Sequence, residues 1–228
     1  DGRAAVVGGR NLADSYFMRS DEGNFIDFDL LCAGVVVPEL AAHFDAFWNS
    51  SFAVPVQALA DNGLDAAARQ ASFDRLSSGT ADGPAQPLRL PIGPMGPTAL
   101  MVADARVFFD TPEKTAGQGG QPFVLPVASL LGDAHERVVI VSPYFLPSET
   151  GLERMRAARE RGVTVQVVTN SLVDSDEPLV SVAYGRRRAA LLQSGIRLFE
   201  LSSERLHQRT PVGQSLGTSV GRLHAKLG

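Results

Sequence analysis

Leu223-His224-Ala225-Lys226-Leu227-Gly228 closes the chain. It lies in an apolar run, residues 220–227, that reads as a strand. Side chains at i and i+2 share one face of a strand, so His224 and Lys226 are expected to point together, roughly 7 Å apart at about 3.3 Å of rise per residue. An imidazole beside an ammonium suits a phosphate. The lysine supplies charge; the histidine supplies a nucleophile or a proton near neutral pH. Three residues alone are a short signal, and a polar strand end is the competing reading.

Working back from that end, residues 123–228 alternate strands and helices. A helix is expected over 127–131 and a Val/Ile strand over 137–142. Ser148 is a good N-cap for a helix over 149–161, and Gly162 suits the residue after its end. A strand over 163–168, a helix over 179–193 and a strand over 196–201 follow. A polar loop over 204–217 leads to the final strand. Strands separated by helices predict an α/β fold with a mainly parallel sheet flanked by helices. Chemistry in such sheets gathers at the strand C-termini, where Tyr144, Asn170 and Asp174 fall.

The first half is less regular. Residues 4–7 read as a strand closed by Gly8-Gly9, and 12–18 as a helical turn or a loop. Residues 24–37 read as one buried strand with Asp27 and Asp29 on one face. Two carboxylates inside an apolar strand need partners or a cleft. Pro38 suits a helix start, and Leu40, Phe44, Phe47 and Trp48 recur at helical spacing. His43 on that helix reads as a packing residue. One or two polar helices are expected over 57–76 and a strand over 98–109. The Gly/Pro-rich composition around 81–122 marks a linker, dividing the chain into 1–80, 81–122 and 123–228.

Composition narrows the function classes. The chain has 228 residues, 44% of them apolar, and a formal net charge of -4, so no global basic field favours DNA or an anionic membrane. The single cysteine, Cys32, excludes an intrachain disulfide. The apolar stretch 30–42 is too short to span a bilayer. Gly213-Gln214-Ser215-Leu216-Gly217 matches a nucleophile elbow, but no apolar strand precedes it. Arg186-Arg187-Arg188 reads as a solvated helix face, with a phosphate contact as the alternative.

Read together, the two ends resemble the phospholipase D superfamily. Its signature, H-x-K-x4-D-x6-G-[GS]-x-N, occurs twice in a member. Asp1, six residues, then Gly8-Gly9-Arg10-Asn11 matches the later part of one copy; His224-Ala225-Lys226 matches the start of the other. The run Ser142-Pro143-Tyr144-Phe145-Leu146-Pro147 resembles bacterial cardiolipin synthases. Thr169-Asn170-Ser171 with Asp174, Tyr184 with Arg188, and Asp110 with Pro112 and Lys114 resemble the branch of the third such synthase.

The resemblance implies two incomplete pseudo-repeat halves of a phospholipase D-like fold, in an internal piece of a longer protein. It implies a phosphatidyltransferase making cardiolipin-like lipids from phosphatidylglycerol and a second phospholipid through a phosphohistidine. His224 would be the general acid/base, paired with a nucleophilic histidine that the motif places outside these residues. Lys226 and Asn11 would hold the phosphoryl oxygens, and Asp27 or Asp29 would orient His224. Asp1 would be structural, with Gly9, Tyr144, Asn170 and Asp174 contacting substrate. No metal or cofactor is implied. The expected partners are phospholipids, with peripheral contact at the cytoplasmic face of the inner membrane, and no nucleic acid. Residues 1–228 alone are expected to be inactive. A nuclease of the same superfamily and a non-catalytic lipid-binding relative are the rival readings.

Overall fold

The structure, a computed structural model, describes residues 2–55, 58, 65–78, 101, 103–118, 124–209 and 216–228. Asp1, most of the expected 81–122 linker and the 213–215 part of the elbow-like pattern lie outside the described residues. In chain order the elements are β1 (Ala4–Gly8), a 3-10 turn (Asp14–Phe17), β2 (Gly23–Ile26), β3 (Asp29–Ala33), α1 (Val36–Trp48) and α2 (Ala66–Ser78). A second 3-10 turn (Pro112–Ala116) and α3 (Val124–Asp133) follow. Then come β4 (Arg137–Val141), α4 (Glu149–Glu160), β5 (Thr164–Asn170), α5 (Pro178–Gln193), β6 (Arg197–Leu201), α6 (Ser203–Arg209) and β7 (Val220–Leu223).

The core lies in the second half. β4, β5 and β6 form a parallel sheet in that order. Val163, Val165 and Val167 are fully buried, one face of a period-two pattern. Against them packs the face of α4 made by Leu152, Met155 and Ala158. Ser148 caps that helix, its Oγ accepting from Gly151 N at 3.1 Å. Gly162 ends it at φ +92°, a conformation that favours glycine. From α5, Tyr184 and Leu191 complete the cluster. Truncating Leu191 to alanine there costs about 2–5 kcal/mol.

Two smaller strand pairings stand apart from this sheet. β1 runs antiparallel to β3, and β2 runs parallel to β7 in the register Gly23↔Val220 to Ile26↔Leu223. The side chain of Asn170, at the end of β5, fastens β7. Its Nδ2 donates to Leu223 O at 2.9 Å, and its Oδ1 accepts from Leu223 N at 2.7 Å. Leu227 and Val141 exchange two backbone bonds beside β4.

Four expectations change. Residues 24–37 are not one buried strand: the chain breaks at Asp27-Phe28, and β3, paired only with β1 among the described residues, leaves Leu30 53% exposed. No strand forms over the described residues of 98–109, which have no ladder partner among the described residues. The expected loop 204–217 begins as α6, with Glu204 favourably placed in the first turn. The last strand ends at Leu223, before His224 and Lys226. Beyond it, the amides of His224 and Ala225 both donate to Ile26 O, at 2.8 and 3.1 Å, so the ladder cannot step on.

Candidate functional site

Because β2 and β7 are parallel and in register to Ile26↔Leu223, the next residue of each leaves the pair at the same end. Those residues are Asp27 and His224. Asp27 Oδ2 lies 2.7 Å from His224 Nδ1, with the two side chains 1% and 11% exposed. The other carboxylate oxygen accepts from Phe28 N at 2.8 Å. A buried carboxylate is thereby paired and hydrogen-bonded rather than stranded. Gly9 makes the space: a Cβ there would stand 2.8 and 2.9 Å from the two Asp27 oxygens.

Aromatic rings surround the imidazole. Tyr16 meets it edge-on at 5.1 Å between centroids, with Phe25 at 5.3 Å and Tyr144 at 6.3 Å. The Tyr16 hydroxyl is 3.4 Å from His224 Nε2 and accepts from Asn11 Nδ2 at 2.9 Å. Thus Asn11 reaches the histidine through a tyrosine.

Lys226 folds onto the same ring. Its Nζ is 3.1 Å from Nε2 and 3.3 Å from Nδ1, donates to His224 O at 2.8 Å, and stands 5.7 Å over the Tyr144 ring. Burial lowers the Lys226 pKa from its ordinary value, opposed by the charges of Asp27 and Asp176. Tyr144 donates to Asp176 Oδ2 at 2.7 Å. Burial, followed by that bond and the Asp176 charge, pushes the phenol above its usual range, so it stays a neutral donor. The result is one imidazole with a carboxylate on Nδ1, a hydroxyl near Nε2 and a cation close to both nitrogens. Such a cluster can exchange a proton and attract an anion.

The other expected site residues go elsewhere. Asp29 pairs with Arg10 at 2.6 Å and not with His224. Asn170 spends its amide on Leu223. Asp174 accepts from Ser171 Oγ at 2.6 Å and from Ser203 N at 3.2 Å. Arg187 pairs with Glu149, and Arg188 with Glu200. His43 stacks on Phe109 at 4.2 Å, as a packing residue does. Tyr16, Phe25 and Asp176 escaped the sequence reading. Tyr16 falls five residues after Asn11, but nothing local connects it to His224, 208 residues on. Among the described residues, no second histidine touches His224, and no group of three or more His, Cys, Asp or Glu is arranged to hold a metal ion. No helix among them is long and apolar enough to cross a membrane.

Comparison with known proteins follows the same lines. Residues 127–227 match the family described as "Cardiolipin synthase, PLD-like domain". The chain is 30% identical to cardiolipin synthase C of Escherichia coli (strain K12), over 99% of this chain and 50% of that protein. It is 27% identical to cardiolipin synthase 2 of Staphylococcus epidermidis and 26% identical to a cardiolipin synthase of Staphylococcus aureus. Each of those two matches covers 97% of this chain and 38% of the relative. The chain thus spans half or less of the length of these relatives. No solved structure matches. Residues 127–227 are thus similar to the phospholipase D-like domain of cardiolipin synthases.

Proposed function

We propose that the intact protein is a phospholipase D-type phosphatidyltransferase that makes a cardiolipin-like lipid from phosphatidylglycerol and a second phospholipid. The observation that supports it most directly is the Asp27–His224–Lys226 cluster, with the Asn11 amide one hydroxyl away. With Asp27 on Nδ1, the reacting nitrogen of His224 is Nε2. A second histidine, from outside this cluster, attacks phosphorus. The P–O bond to glycerol breaks, and protonated His224 gives its proton to the departing alkoxide. His224 then takes the proton of the incoming lipid's hydroxyl. That oxygen attacks phosphorus, and the P–N bond breaks, restoring the attacking histidine. Lys226 and Asn11 balance the charge that builds on the phosphoryl oxygens, and Asp27 steadies the imidazolium present before the first step and restored by the second. Lipid substrates imply peripheral contact with a membrane.

The test is to incubate the intact protein with labelled phosphatidylglycerol in vesicles, and separately with a single-stranded oligonucleotide. Cardiolipin and free glycerol are expected from the first, and no cleavage from the second. Cleavage of the oligonucleotide with neither cardiolipin nor phosphatidic acid would replace this reading with a nuclease.

A further inference from the structure

Tyr16 is 7% exposed. Its ring stacks on Phe25 at 4.6 Å between centroids and stands at 87° to the imidazole of His224. A phenol has one proton and two lone pairs. The Asn11 amide nitrogen only donates, so at 2.9 Å it takes a lone pair and leaves the hydroxyl proton free. The remaining neighbour of that proton is His224 Nε2, 3.4 Å away. Across the ring, the Asp27 carboxylate only accepts, so Nδ1 is the nitrogen that carries hydrogen. Lys226 does not fill the lone-pair direction of Nε2. Its ammonium is nearly equidistant from both ring nitrogens, at 3.1 and 3.3 Å, whose in-plane lone-pair axes diverge. An atom so placed lies over the ring face and not along either axis.

We propose that Tyr16 is a positioning residue. The relay Asn11–Tyr16–His224–Asp27 holds the neutral imidazole in its Nδ1–H tautomer, with the Nε2 lone pair hydrogen-bonded and aimed. The inference deepens the phosphotransfer reading and rests on it for its meaning: the relay presets His224 as a base for the incoming alcohol. Its physical content is a property of this chain, readable without turnover.

The experiment is nitrogen-15 NMR of the histidine side chains of residues 1–228 at about pH 8.5, well above the ordinary histidine range. The spectrum of His224→Asn identifies the His224 signals. In the unaltered chain Nδ1 is expected to be pyrrole-type, and Nε2 pyridine-type with the upfield displacement of a hydrogen-bonded lone pair. Tyr16→Phe keeps the ring and removes the hydroxyl. It is expected to leave Nδ1 in place and move Nε2 downfield toward the free value. Phe25→Leu, which alters the packing but no hydrogen bond, is expected to move neither. A pyrrole-type Nε2 in the unaltered chain, an unmoved Nε2 in Tyr16→Phe, or an equal displacement in Phe25→Leu would each overturn the proposal. A failed lipid assay leaves these readouts unaffected, so the two readings fail separately.

Discussion

Asp27 and His224 are separated by 197 residues of chain, yet their side chains meet at 2.7 Å. The meeting follows from one parallel strand pair. β2 and β7 end in step, and the residues that follow, a carboxylate and an imidazole, turn toward each other. The first half of the chain thereby supplies the acid behind the histidine of the second.

Asp27→Asn keeps the shape and removes the charge. An amide can present nitrogen to Nδ1, which reverses the tautomer, and it cannot stabilise an imidazolium. Turnover of phosphatidylglycerol by the intact protein is expected to fall by about 10²–10⁴-fold, the usual weight of acid–base catalysis. Steady-state kinetics checks it; a loss confined to KM would assign Asp27 to substrate binding instead.

Gly9→Ala is expected to damage the same contact from behind. The new Cβ would press on a carboxylate already held by Phe28 N and His224, which has nowhere to swing. Overpacking of this kind costs about 1–3 kcal/mol. Gly185→Ala is the contrasting case: its Cβ meets Leu172 at an ordinary 3.7 Å, and the change is expected to stabilise α5 by about 0.5–1 kcal/mol. Urea midpoints distinguish the two.

Asn170 separates anchoring from substrate contact. In Asn170→Ala, the buried amide and carbonyl of Leu223 lose their partner, at about 1–3 kcal/mol for an unsatisfied group. The expected result is lower stability and a loosened β7. Unchanged stability with a raised KM would make Asn170 a substrate contact.

Lys226 carries a pH dependence. Its pKa in the folded chain is lowered from the ordinary 10.5, chiefly by burial. Between the folded value and 10.5 the unfolded chain binds more protons, so stability rises with pH across that window. The cost of burying the charge is constant below it. The ammonium is lost in the same window, and the alkaline limb of turnover is expected to fall below pH 10.5. Lys226→Arg stays charged and should move that limb upward, at a reduced plateau because the guanidinium has a different shape. A limb that does not move belongs to another group. Rate–pH profiles provide the measurement.

The sheet that carries the core was legible because its signals are local: Ser148 and Gly162 bracket α4, and β-branched runs mark β4 and β5. His224 and Lys226 stood out because their motif is compact. The break at Asp27 was not legible, since apolar residues continue through it and the cause is a partner far along the chain. Tyr16 was hidden for the same reason. Asn170 and Asp174 sit at strand ends as expected of contact residues, but their side chains close onto backbone groups that sequence does not reveal. α6 resembles a polar loop because its burial depends on Leu216 and Gly221, which arrive later in the chain.

The most direct test of the account is His224→Asn in the intact protein, assayed with labelled phosphatidylglycerol after its urea midpoint has been measured. The expected result is a folded protein whose cardiolipin formation falls by at least about 10²–10⁴-fold. A folded His224→Asn protein that makes cardiolipin at the unaltered rate would contradict it.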